Sequence, residues 1–161
     1  MKRRSLLLAI AFFMGASLFA AAPIPRFVIQ NVDLEHLGNA NFKRISETFT
    51  GKEATGNRVV VRTNPNVREG EYFIIELNRY VKHLPPGSQL QISYILSSQP
   101  EATTVNLLIP DTPKNTAYIY AGITGGNLLK DGITITAWKI VLLDSSGDAL
   151  AESQSFLWSQ P

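Results

Sequence analysis

The chain has 161 residues, with 15 basic against 13 acidic side chains, two histidines and no cysteine. The missing thiols exclude cysteine catalysis, disulfide staples, zinc–thiolate sites and a cysteine-linked lipid anchor. The small basic excess points to no nucleic-acid partner, because Lys2, Arg3 and Arg4 supply it; without the first twenty residues, 12 basic groups face 13 acidic ones.

Those three cations are followed by an uncharged apolar run, Ser5 to Phe19, and then by Ala20-Ala21-Ala22 ahead of Pro23. This order is that of a secretory signal peptide. It predicts residues 1–20 as the signal, since a cut after Ala22 would leave Pro23 beside the scissile bond. An uncleaved anchor is the alternative, as Ser5 to Ala22 gives 18 uncharged residues, just enough to span a bilayer. In either case the remainder is translocated. The expected location is the periplasm or the extracellular space, with no stable membrane insertion after cleavage.

Residues 23–161 read as a single domain, undivided by any linker, repeat or low-complexity tract. Its elements are short runs rich in β-branched and aromatic residues. The first is Arg26 to Val32. Residues 33–56 are the least regular part, with one capped helical turn expected at Asp33 to Leu37. Asn57 to Thr63 is a second strand, ended by Asn64-Pro65-Asn66. Glu71 to Leu77 is compact and β-branched, although Phe73, Leu77, Tyr80 or Val81, and Leu84 also fall at helical spacing. A strand followed by an irregular turn is preferred, with a break at Pro85-Pro86-Gly87. Gln89 to Leu96 alternates cleanly, placing Leu90, Ile92, Tyr94 and Leu96 on one face. Thr103 to Ile109, Ala117 to Ile123, Ile133 to Leu143 and Ala149 to Trp158 complete the set. Seven to eight strands with regularly spaced turns and no crossover helices predict an all-β, antiparallel β-sandwich of immunoglobulin-like or fibronectin type.

Asp144-Ser-Ser-Gly-Asp148 joins the last two strands. Its oxygens resemble a calcium loop, but position 6 would be Ala149 and position 12 Ser155, where that loop wants glycine and glutamate. Gly147 sits instead where a three-residue hairpin loop needs its left-handed residue. With Asp144 opposite Asp148, Leu142 should pair with Leu150, Trp138 with Gln154 and Thr136 with Phe156. Trp138, Phe156 and Trp158 then share a face. They are the candidate ligand- or partner-binding residues, Trp138 favouring the core.

No Gly-x-Ser-x-Gly elbow, phosphate-binding loop or zinc-ligand spacing occurs, and His36 and His83 sit in ordinary surface contexts. The sequence therefore argues for a non-enzymatic module with no cofactor or metal, binding carbohydrate or protein through its surface. The alternatives are an envelope hydrolase built around His36 or His83, and a structural subunit assembling through strand edges. Composition leaves the oligomeric state open.

Overall fold

The computed structural model describes residues 27–42, 45–51, 53–111, 114–127 and 132–159. The expected signal or anchor, residues 1–20 or Ser5 to Ala22, lies outside them. Among the described residues no helix is long and apolar enough to cross a membrane.

The described residues hold eight strands in chain order: β1 Ile29–Leu37, β2 Val59–Arg62, β3 Gly70–Leu77, β4 Gln89–Leu96, β5 Gln99–Leu108, β6 Tyr118–Thr124, β7 Ile135–Leu143 and β8 Ala149–Gln154. They form two four-stranded sheets, ordered β1-β3-β6-β2 and β5-β4-β7-β8. All neighbours are antiparallel except β2, which runs parallel to β6. With β2 set aside, the seven remaining strands make the three-on-four immunoglobulin-like sandwich that strand number and spacing predict.

Alternation builds the core. Phe73, Ile75 and Leu77 of β3 and Ile119, Ala121 and Ile123 of β6 face Leu90 and Ile92 of β4 and Ile140 and Leu142 of β7, all almost fully buried. The expected inward face of β4 is observed, with Leu96 only partly buried at its end. The preferred reading of residues 71–84 also holds: β3 ends at Leu77 and a single 3-10 turn, Val81–His83, follows.

The segment 33–56 differs from expectation. β1 continues to Leu37, so Asp33 to Leu37 is strand, not a helical turn. Two short helices follow, α1 Asn39–Phe42 and α2 Ile45–Thr50. Phe42 packs with Tyr72 and Leu37 into a second small core, joined by the partly buried Val60 and Tyr120. Gly122 is required there, because a Cβ would fall 2.6 Å from the Tyr72 ring.

A buried cation ties this layer down. The Arg62 side chain, 6 % exposed, donates two hydrogen bonds to Glu53 at 2.9 and 2.7 Å and a third from Nε to the Tyr72 hydroxyl at 2.7 Å. Its guanidinium lies 4.7 Å from the Phe42 ring centroid. Arg68 extends the network to Glu47 at 2.7 Å, and its carbonyl accepts the Tyr72 hydroxyl at 2.6 Å. The hydrogen bond from Arg62 holds the Glu53 carboxyl below its usual range. Burial raises the Tyr72 phenol, the Arg62 bond opposing it. Burial alone would lower the Arg62 guanidinium; its bonds to Glu53 and Tyr72 outweigh this and raise it.

Candidate functional site

The loop Asp144 to Asp148 is a hairpin turn. Gly147 adopts φ +87°, its N–H donates to the Asp144 carbonyl at 3.1 Å, and the Asp144 N–H donates to the Asp148 carbonyl at 2.9 Å. One oxygen of the Asp144 carboxylate accepts the amides of Ser146 and Asp148, at 2.8 and 3.0 Å. The side chain that looked like a metal ligand thus caps its own turn. Beyond the turn the expected register fails. Leu143 pairs with Ala149, but a bulge then sets Leu142 opposite Ala151 and Val141 opposite Glu152. The extra residue leaves Leu150 and Ala151 both against the core and turns Glu152 outward, where it meets Lys139 at 3.2 Å. A carboxylate placed in the core by the unbulged pairing supplies the reason for the slip.

The three aromatic candidates do not share the strand face expected of them. Trp138 packs partly buried against the main core, edge-on to Phe73 with ring centroids 6.0 Å apart. β8 ends at Gln154, so Phe156 and Trp158 lie not on a strand but on the 3-10 turn Phe156–Ser159. Phe156 is 78 % exposed, whereas Trp158 is half-buried. Ser155 fixes the turn, its amide donating to the Trp138 carbonyl and its hydroxyl accepting the Trp138 amide. Phe156→Ala should therefore change unfolding free energy by no more than about 0.5 kcal/mol, and Trp158→Ala should cost about 1–2 kcal/mol. Urea denaturation of both variants checks this ordering.

The histidines are placed unequally. His36 lies opposite Glu71 across β1 and β3, with Nδ1 2.7 Å from its carboxylate. Its Nε2 faces Glu69 at 3.7 Å. A triad base needs one nitrogen on the orienting acid and the other on the nucleophile; here both meet carboxylates. His83 instead stacks on Tyr80, centroids 6.2 Å apart, in the loop after β3.

That loop helps to line a concave surface at one end of the molecule. Residues 78–88, 109–111, 114–117 and 144–148 all emerge at one end of the sandwich, because β3, β5 and β7 finish there. They are knitted together: the Val81 amide donates to the Thr116 carbonyl at 2.8 Å, Ile109 to Ser88 at 3.0 Å, and Gly87 to the Asp111 carboxylate at 3.4 Å. The hairpin abuts Gly87, where a Cβ would lie 3.1 Å from that of Ser145. Between the first two loops is a cleft of about 310 Å³, floored by Val81, Leu84, Pro85, Pro86, Ile109 and Pro110. Lys82, Ser88 and Asp111 supply its polar groups. Beside it, Asn78, Arg79, Tyr80, His83 and Ala117 enclose a shallower hollow of about 380 Å³. Tyr80 is 48 % exposed, with the Lys82 ammonium 5.7 Å from its ring centroid.

Sequence reasoning passed over this site. It took Pro85-Pro86-Gly87 as a break and His83 as a surface residue, although Asn78 to Gly87 mixes aromatic, cationic and prolyl residues as binding loops do. Among the described residues no three metal-binding side chains converge. Comparison with protein-family models, characterised proteins and solved structures gave no match, leaving the geometry to carry the functional reading.

Proposed function

We propose that this chain is an exported, non-enzymatic binding module whose loop end grips a protein partner. The observation that carries the reading is the cleft between residues 81–88 and 109–111. Its volume is at the small end of ligand sites, and its floor is aliphatic and prolyl with one cation and one anion at hand. Such a hole suits a single apolar anchor side chain, with Lys82 and Asp111 orienting the partner's charges. Prolines keep the floor rigid, so little conformational entropy is lost on binding. Sandwich folds commonly bind through clustered loops of this kind.

A carbohydrate ligand is the second reading. The stacked Tyr80–His83 pair, bordered by Asn78 and Arg79, favours it, since an exposed ring flanked by hydrogen-bonding groups suits a sugar face.

Pull-down from envelope extract, run beside a glycan array, tests both. A protein partner held by the cleft should lose at least tenfold in affinity with Lys82→Glu combined with Pro86→Asp, while Phe156→Ala binds normally. Glycan binding abolished by Tyr80→Ala would instead select the second reading. Turnover on a hydrolase substrate panel, with neither kind of binding, would sink both.

A further inference from the structure

Each sheet has two outer edges, β1 and β2 in the first and β5 and β8 in the second. An open edge presents unpaired N–H and C=O groups, which proteins blunt with charge, proline, bulges or short strands. Three edges here are blunted. β1 carries Asp33, Glu35 and His36 and a bulge near its start. β2 has four residues. β8 has six, is bulged against β7 and bears the ion-paired Glu152.

β5 is different. It runs for ten residues, and its one proline, Pro100, its one charge, Glu101, and its break in register with β4, between Gln99 and Thr103, all sit at its beginning, so that Thr103 to Leu108 pair regularly. The rest, Ala-Thr-Thr-Val-Asn-Leu-Leu from 102 to 108, is neutral, and Leu108 is 68 % exposed. The backbone parity is also defined. Ile109 donates to Ser88 directly opposite it, so the odd residues of β5 direct their N–H and C=O to β4. Along the regular ladder, those of Thr104, Asn106 and Leu108 face the open side.

We propose that β5 is an association surface for a second copy of this chain, the two strands pairing antiparallel about a two-fold axis to make one continuous sheet. Isologous pairing requires self-complementarity, and this strand has it. With Val105 opposite its twin, Thr104 faces Asn106, and this pair occurs twice at the centre of the interface. Thr104 and Asn106 carry the outward-facing backbone groups that such pairs must exchange. Glu101 falls opposite Ile109, so the two glutamates lie at opposite ends of the interface and no like charges meet. Along the inner side of this edge run two hollows of about 470 and 270 Å³, where Val105, Leu107 and Leu108 approach Val61, Arg62 and Thr63 of the β2 edge. The partner's Val105 would lie over that seam. This surface runs along the flank of the sandwich, apart from the loop-end cleft, so it stands independently of the ligand.

Sedimentation velocity of the full chain as expressed, over a concentration series, tests the proposal with paired charge variants. Thr104→Lys with Asn106→Lys sets lysine opposite lysine at both central pairs; Thr104→Glu with Asn106→Glu does the same with carboxylates. Both positions are exposed, and the side-chain bond given up is the Thr104–Ser93 hydroxyl contact at 2.8 Å. The wild type should dimerise, each double variant alone should be monomeric with its thermal midpoint nearly unchanged, and an equimolar mixture should dimerise again. As the native chain has no cysteine, the register is read separately. Mixed Thr104→Cys and Asn106→Cys proteins should cross-link several-fold faster than either alone. A wild-type monomer at every concentration overturns the proposal. So does a dimer that survives both sets of like charges, or a mixture that fails to reassociate.

Discussion

Replacing Phe73 by alanine is expected to cost about 3–5 kcal/mol of stability, the range for a large aromatic removed from a packed core. Phe73 is fully buried at the centre of β3, between β1 and β6, and its ring meets the edge of Trp138 from the opposite sheet. The lost transfer energy is joined by a cavity that both sheets line, and two hydrogen-bonded layers collapse poorly into such a space. Equilibrium urea unfolding followed by circular dichroism gives the magnitude. Because the chain has two tryptophans, the same variant in a Trp158→Phe background isolates the Trp138 signal. Its emission should shift to longer wavelength as water gains access. An unchanged Trp138 spectrum with a loss below about 1 kcal/mol would return this tryptophan to the surface.

The Arg62→Met substitution is expected to cost about 2–4 kcal/mol, toward the lower part of what breaking a buried ion pair costs. The reason is asymmetry: methionine fills the space over Phe42, but Glu53 and the Tyr72 hydroxyl lose their donor. Arg68, 3.6 Å from Glu53, compensates in part, which places the estimate below the full penalty. Changing Glu53→Gln as well should recover part of the loss, and the double-mutant cycle measures it. The dependence on pH follows from the lowered Glu53 carboxyl. A group whose folded value is depressed stabilises fully above its unfolded value, here 4.5, and loses that contribution as the pH falls through the folded value. The stability gap between wild type and Arg62→Met should thus be widest above about pH 4.5 and narrow on acidification below it. A gap unchanged across that window would remove Glu53 from the account.

These two residues mark where the sequence could and could not be read. Phe73 lies in a compact β-branched run that favours a strand, and the cleaner alternation of Gln89 to Leu96 assigns a buried face with no knowledge of partners. The strands of the immunoglobulin-like frame other than the second half of β1, the turn at Gly147 and the strand nature of Glu71 to Leu77 all belong to this class. Each is specified by contacts within a few residues: pleat periodicity, or a backbone angle that glycine tolerates.

Arg62 belongs to the other class. Its partners, Glu53 and Tyr72, lie nine and ten residues away on either side, and nothing in the local pattern marks an arginine for burial. The segment 33–56 was unreadable for the same reason. β1 is an edge strand with polar side chains on both faces, and helices of four and six residues are too short to show a period or to form without tertiary support. The hairpin register turned on one inserted residue at Leu150, decided by the energetic need to keep Glu152 out of the core.

The loop end is the furthest case. Residues 81–88 and 109–111 are separated by two whole strands, and only the closing of the sandwich brings them together around one cleft. Sequence alone determined that this chain alternates, turns and bends as a β-sandwich must, because those choices are local. The cleft, the buried arginine and the undefended edge of β5 were decided by the tertiary structure, because each depends on which distant residues meet.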